Sequence, residues 1–270
     1  MQFYLRCSSI DCILHSFEEE YIKGHSMSTK SIPLIKLPWD ARGLFKTRPN
    51  RYLGVVDLIY PQSTKAVKVH IHDPGRLREL LYPENQVLLR EVKAKNRKTA
   101  WDIIAGKHQN QWVLVHSGYH RRIVEQILQN PELTPFKGMN AIEAEVTYGE
   151  SRIDFLLQKN DRRRIWLEVK GCTLARNGVA LFPDAPTKRG CKHLKSLMKI
   201  KEDGMEAAIL ILVFRTEALC FSPNREIDPE FAELFYEALR AGVKVYPMVL
   251  RYENETIFYT DRIHVCLKPH

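Results

Sequence analysis

The stretch SRIDFLLQKNDRRRIWLEVKG, residues 151–171, plants two acids and a lysine on arms that otherwise alternate apolar and charged side chains. Side chains on a strand alternate faces with a period of two, so each arm reads as a strand and the polar middle as a turn. Ile153, Phe155 and Leu157 then share one face with Ile165, Leu167 and Val169, while Asp154, Leu156, Gln158, Arg164, Trp166, Glu168 and Lys170 share the other. The apolar face sets the register, because a slip of one residue would turn that whole set toward water. A loop of about five residues around Asp161 makes even-numbered residues oppose even-numbered ones and brings Asp154 opposite Glu168. Carboxylates opposed on neighbouring strands lie roughly 4.5–5.5 Å apart at Cβ and repel each other. Lys170 or a bound cation would offset that repulsion; a solvated polar face balanced by Arg152, Arg164 and Lys170 is the competing reading.

The neighbouring elements place this hairpin in a sheet. HRRIVEQILQN, residues 120–130, carries Ile123, Ile127 and Leu128 at helical spacing. A strand at AIEAEVTY precedes the hairpin, and TKRGCKHLKSLMKIKEDG after it reads as a helix with Leu194, Leu197 and Met198 on one side and Gly204 as cap. AAILILVF is a buried strand, PEFAELFYEALRAG a helix ending at Gly242, and VKVYPMVLRY a further strand. Helix, three strands, helix, strand describes a sheet with helices packed against it, and residues 118–270 are expected to form one α/β domain.

Upstream, RYLGVVDLIY, AVKVHI, QVLLREV, TAWDIIAG and QWVLV read as five short strands, with a short helix at GRLRELL. That count over residues 44–117 suggests a small all-β barrel of the oligonucleotide-binding (OB) type. Residues 1–43 remain as an N-terminal extension; residues 1–26 lack the pattern of a secretory signal, Met27 reads as an alternative start, and poor order is expected before it.

The net charge of +9 over 270 residues favours a polyanionic partner, with nucleic acid first. No apolar run reaches the roughly 20 residues of a membrane span, and no basic amphipathic helix offers an anchor. The six cysteines show no metal-finger spacing, and a chain of this size needs no disulfide scaffold, so a reducing cytoplasm is expected.

An Asp on one strand and Glu-x-Lys on the next resembles the motif of the PD-(D/E)xK nuclease superfamily, read here as Asp154, then Glu168, Val169 and Lys170. The resemblance implies Mg²⁺ or Mn²⁺ held by Asp154, Glu168 and the Val169 carbonyl, hard oxygen donors that suit these ions. It also implies that Lys170 positions water and that a helix ahead of the sheet adds an acid. Glu125 is the candidate, with Glu143 and Glu145 as alternatives.

Longer signatures narrow this. SRIDFLL, LEVKGCTL, GVALFPDAPTKRGCKHLKSL and, in the N-terminal part, RPNRYLG and HDPGRLRELL are five separate motifs that together closely resemble the sugar fermentation stimulation protein (SfsA) family from about Phe45 to the region of Leu250. That resemblance implies an OB-like barrel joined to a PD-(D/E)xK nuclease-like α/β domain, and DNA as the partner. HDPGR at residues 72–76 looks more like the archaeal members than the bacterial ones.

FPDAPTKRG, stiffened by Pro183 and Pro186, leads into a helix that carries Lys188, Arg189, Lys192, His193, Lys195 and Lys199. Its lysines follow helical spacing and form a basic stripe that could meet phosphates, as could Arg76 and Arg78. His193 could polarise a phosphate oxygen or be a partly buried helix residue. His70, His72 and Asp73 resemble a fragment of a histidine-rich metal site, but with no further histidines in a matching context they read as a strand end entering a turn, and Tyr52, Tyr60, Trp101 and Trp112 read as core more than as stacking surface. The expectation is a cytoplasmic protein that binds double-stranded DNA without strong sequence specificity and hydrolyses phosphodiesters. Its rivals are a non-catalytic DNA-binding regulator and an RNA-binding module.

Overall fold

The protein is described by a computed structural model covering residues 31–94 and 97–266. The expected extension before Met27 lies outside the described residues.

Five strands close a barrel: β2 (Ala41–Asn50), β3 (Leu53–Tyr60), β4 (Thr64–His70), β5 (Gln86–Glu91) and β6 (Trp101–His108). β2 pairs antiparallel with β3 and β5, β3 with β4, and β5 with β6. The closing seam is parallel, with Val69 opposite Trp101 and His70 opposite Asp102. Closure leaves no barrel edge unpaired and turns Phe45, Val56, Val69, Val87, Leu89 and Ile103 into a dry interior. The expected strand set differs by one member. β2 was not recognised because its buried face is Ala41, Gly43 and Phe45, two small residues and one aromatic that do not register as apolar alternation. Conversely β7 (Gln111–Leu114) leaves the barrel: it pairs with β6 and meets the second sheet where Trp112 faces Tyr252. The expected helix at GRLRELL is a single turn, Leu81 N–H donating to Leu77 O at 2.8 Å, because Leu77 is left-handed (φ 51°).

The second unit runs through α1 (His120–Gln129), β8 (Met139–Tyr148), β9 (Ser151–Lys159), β10 (Arg164–Cys172), α2 (Lys188–Glu202), β13 (Glu206–Val213), α3 (Pro229–Arg240), β15 (Lys244–Glu253) and β16 (Thr256–Arg262). Its sheet is ordered β8-β9-β10-β13-β15, with β10, β13 and β15 parallel. Side-chain alternation along β13 separates two cores. Ala208, Leu210 and Leu212 join α1 on one face, and Ala207, Ile209 and Ile211 join α2 and α3 on the other. The helices start where their caps dictate: Thr187 Oγ1 accepts from Gly190 N–H at 3.0 Å, and Asp228 Oδ1 accepts from Phe231 N–H at 3.0 Å with Pro229 following. α2 stops at Gly204, whose φ of +78° a side chain would resist.

Two features depart from expectation. Part of the expected extension is core: β1 (Ile32–Lys36) pairs with β16, Leu37 is fully buried, and its carbonyl accepts from Tyr252 Oη at 2.7 Å. Cys220 and Cys266 form a disulfide, which the wide sequence spacing concealed. It ties the end of the described chain to a small second sheet of β11 (Leu174–Arg176), β12 (Val179–Phe182), β14 (Cys220–Pro223) and β17 (His264–Val265). Among the described residues, no helix is long and apolar enough to cross a membrane.

Candidate metal and nucleic-acid site

The register of the central hairpin is the expected one, with Gln158 opposite Arg164, Leu157 opposite Ile165, Leu156 opposite Trp166 and Phe155 opposite Leu167. The next step along it brings Asp154 to the Glu168–Val169 peptide, where Asp154 Oδ2 accepts the Val169 N–H at 2.7 Å. The even-numbered face is not a solvated surface. Trp166 is buried, with its Nε1–H directed at Met205 Sδ at 3.4 Å, and Glu168 is 2% exposed.

α2 lies over this face and supplies His193, which is buried. Glu168 Oε1 receives both Lys170 Nζ and His193 Nδ1, and the lysine nitrogen is 3.5 Å from the same imidazole nitrogen. Glu168 Oε2 is buried with no hydrogen-bond partner among the described residues. Arg189, one turn earlier and exposed, directs its Nε–H at His193 Nε2 at 3.4 Å.

Burial pushes the Asp154 carboxyl up to about 6, and the negative charge of Glu168 adds to the rise against Lys170. Burial also penalises ionised Glu168, but Lys170 and the His193 hydrogen bond outweigh it and hold that carboxyl below its ordinary value. The pair therefore contains one acid held ionised well into the acid range and one that takes up a proton near pH 6. An orphaned buried carboxylate oxygen, a second acid beside it and a neighbouring backbone carbonyl form an oxygen-rich donor set, which fits Mg²⁺ or Mn²⁺.

The structure brings together Asp154, Glu168, Val169, Lys170 and His193, with Arg189 beside them. It does not bring Glu125. α1 buries Ile123, Val124, Ile127 and Leu128 in the core on the other side of the sheet, and Glu125 pairs along its own helix with Arg121 at 2.9 Å. The two alternatives are not there either: Glu145 pairs with Arg152 at 2.7 Å, and Glu143 is exposed on β8. The stripe of lysines on α2 is exposed, but three are already paired. Lys192 meets Glu150 at 3.3 Å, Lys195 meets Glu230 at 3.4 Å, and Lys199 meets Glu202 and Asp203 at 3.4 and 3.1 Å. Such exposed pairs are weak and exchangeable, so phosphates can displace them. Arg76 and Arg78 line a cleft between the barrel and the second unit together with Arg176 and Asp184. Asp184 fastens the two sides, its Oδ2 accepting from Leu77 N–H at 2.8 Å.

Sequence reasoning set His72 aside for want of partners and missed Asp102 and His116, which the fold brings to it. The parallel seam of the barrel carries Asp102 next to His70, and His72 Nε2 lies 3.1 Å from Asp102 Oδ2, with His116 Nε2 at 3.6 Å from the same oxygen. The only signal was histidine density in VHIH and VHSGYH; their meeting at Asp102 depends on barrel closure.

A closed five-stranded barrel of OB type, followed by a helix-flanked sheet with Asp154 and Glu168-x-Lys170 on adjoining strands, defines a protein of the OB-plus-PD-(D/E)xK class. The SfsA N-terminal OB domain model matches residues 47–115, and the sugar fermentation stimulation protein RE domain model matches residues 118–256. The chain belongs to the sugar fermentation stimulation protein (SfsA) family. It is 46% identical to a sugar fermentation stimulation protein homolog of Methanococcoides burtonii, over 88% of this chain and 96% of that one. A homolog of Thermosipho melanesiensis is 44% identical over 86% of this chain and 97% of the relative. The solved structure of Pyrococcus furiosus SfsA in complex with Ca²⁺ is 28% identical and superposes with a TM-score of 0.78, covering 87% of this chain and 99% of that one.

Proposed function

We propose that the protein is a cytoplasmic DNA-binding deoxyribonuclease that uses Mg²⁺ or Mn²⁺ to hydrolyse phosphodiesters. The observation that carries this reading is Glu168 Oε2, a buried carboxylate oxygen without a partner beside a second acid. The Ca²⁺ complex of P. furiosus SfsA supports a hard, oxygen-seeking ion in this family. Asp154, Glu168 and the Val169 carbonyl would hold the ion. When bound, it would stabilise charge developing on the phosphate and lower the pKa of a bound water. Lys170 orients the attacking water and adds positive charge at the reacting phosphorus. His193 fixes Glu168 through Oε1 and keeps Lys170 close. Arg189, Lys188, Lys192, Lys195 and Lys199 on α2, with Arg76 and Arg78 at the cleft, neutralise phosphates on either side. Contacts of this kind favour double-stranded DNA without strong sequence specificity.

One observation favours a non-catalytic DNA-binding regulator instead: Lys170 and His193 already satisfy Glu168 Oε1, a network that holds together without an ion. The two readings separate on cleavage of supercoiled, single-stranded and branched DNA with Mg²⁺, Mn²⁺ or EDTA, comparing the native protein with Glu168→Ala and Lys170→Ala. The nuclease reading expects metal-dependent cutting that falls at least about 100-fold in both variants, while DNA affinity stays within about twofold. DNA binding without cutting on every substrate would replace it with the regulator.

A further inference from the structure

The barrel seam holds a second polar cluster, on different elements from the acid pair and with different donor chemistry. His72 follows β4, Asp102 lies on β6, and His116 follows β7 in the segment leading to α1. The His72 and His116 rings stack with centroids 3.6 Å apart, and the Nε2 of each faces the same carboxylate oxygen. His116 is 7% exposed; among the described residues its Nδ1 is buried without a partner, and its Nε2 meets Asp102 Oδ2 only at a long 3.6 Å. A buried nitrogen whose polar contact is that long is poorly satisfied, and since Nε2 is the atom that faces Asp102 beside His72, the shortfall points to a ligand between them.

We propose that His72, Asp102 and His116 form a transition-metal site, of the class that takes Zn²⁺, distinct from the Mg²⁺ or Mn²⁺ site at Glu168. The spacing supports it. Metal bonds of about 2.0–2.1 Å at tetrahedral angles set donor atoms roughly 3.3 Å apart, and the two rings would open from their stack to aim both lone pairs at one ion. The two Nε2 atoms stand 3.1 and 3.6 Å from Asp102 Oδ2, and all three donors fall within 4.8 Å of one another. Two imidazoles and a carboxylate suit a borderline ion better than a hard one and leave room for water in the remaining position. Arg97 grips Asp102 chiefly through Oδ1, the outer hydrogen bond that ligating carboxylates commonly carry. The ion would join the barrel seam to the segment entering α1. That segment reaches the acid pair: His120 packs so closely on Gly171, next to Lys170, that a Cβ there would lie 2.3 Å from the imidazole Cε1.

The test uses the full chain stripped of metal and titrated with Zn²⁺ against a chromophoric chelator, and separately with Co²⁺ read by visible absorption. One Zn²⁺ per chain is expected, with affinity falling at least about 100-fold in His72→Gln and Asp102→Asn and unchanged in Glu168→Gln. Co²⁺ should give d–d bands of a low-coordinate nitrogen and oxygen site in the native protein, absent in His72→Gln. The His72 side chain is 29% exposed, so His72→Gln should fold, which circular dichroism of the metal-free variant checks. No Zn²⁺ uptake, equal uptake by a folded His72→Gln, or loss in Glu168→Gln would each overturn the site.

Discussion

Glu168 and Asp102 are both buried carboxylates that have gathered a cation and imidazole, yet the two clusters are built for opposite charge balances. At Glu168 two acids face Lys170, so the second acid, Asp154, is pushed up to about 6 by burial and by its neighbour. At Asp102 a single acid faces Arg97 and two imidazoles. Burial disfavours its charge, but the imidazoles of His116 and His72 and the Arg97 guanidinium outweigh that and hold the carboxyl far below its ordinary value. The first cluster lacks positive charge and offers oxygen; the second has its charge balanced and offers nitrogen. The difference teaches that burial of an acid alone does not define a metal site: the atoms left unsatisfied around it do.

The largest effect should come from breaking the balanced cluster. Asp102→Ala, measured in EDTA by urea denaturation, is expected to lose about 3–5 kcal/mol, because Arg97, the half-buried His72 and the buried His116 are left without their carboxylate. A loss below about 1 kcal/mol would mean that the surrounding groups are solvated and the contrast with Glu168 is false.

The residue that links the clusters supplies the next test. Burial pushes His120 down to about 4, with the positive charge of His116 adding to the shift. Its unfolded value is higher, so the unfolded chain binds more protons between about pH 4 and 6.5, and stability is lost as pH falls through that window. The contribution is at most about 3.5 kcal/mol, at about 1.4 kcal/mol per pKa unit. His120→Phe preserves a ring against Phe214, now 5.5 Å away in a stacked pair. The variant should flatten the acid limb of the stability profile; an unchanged limb would show that His120 is not held neutral.

At the acid pair the matching change is milder. Glu168→Gln keeps an Oε1 acceptor for Lys170 and removes the charge opposing Asp154, so a stability loss of about 1–2 kcal/mol is expected. The Asp154 carboxyl should then titrate below about 6 in metal-free protein, short of its ordinary value because burial remains the larger cause. Carboxyl-carbon NMR reads this directly, and an unmoved Asp154 would uncouple the two acids.

The acid pair was legible in the sequence because strand alternation and a short turn are local: the register that sets Asp154 beside Glu168 follows from which face must be apolar. The α2 helix and its cap were legible for the same reason. What joins distant segments was not. The parallel seam between Val69 and Trp101 creates the histidine cluster, and nothing in either strand announces the pairing. β2 was hidden by Ala41 and Gly43, and Cys220–Cys266 by a separation of 46 residues. Glu125 was misplaced because helical periodicity tells which side of α1 is apolar, but not which side of the sheet that helix covers.

The smallest expected effect bears on where DNA lies relative to the two clusters. α2 flanks the acid pair, and its exposed lysines differ in one respect. Lys192 is 3.3 Å from Glu150, whereas no acid lies within ion-pair distance of Lys188 among the described residues. A phosphate contact by Lys188 gains a full charge interaction and releases a counterion, while one by Lys192 must first displace a carboxylate. Lys188→Ala should therefore lower the slope of log affinity against log salt by about 0.9, and Lys192→Ala by less. Fluorescence anisotropy with a short duplex across a salt series measures both. Equal slopes in native protein and Lys188→Ala would place DNA away from the start of α2 and so away from Glu168, leaving the acid pair without a substrate path along this helix.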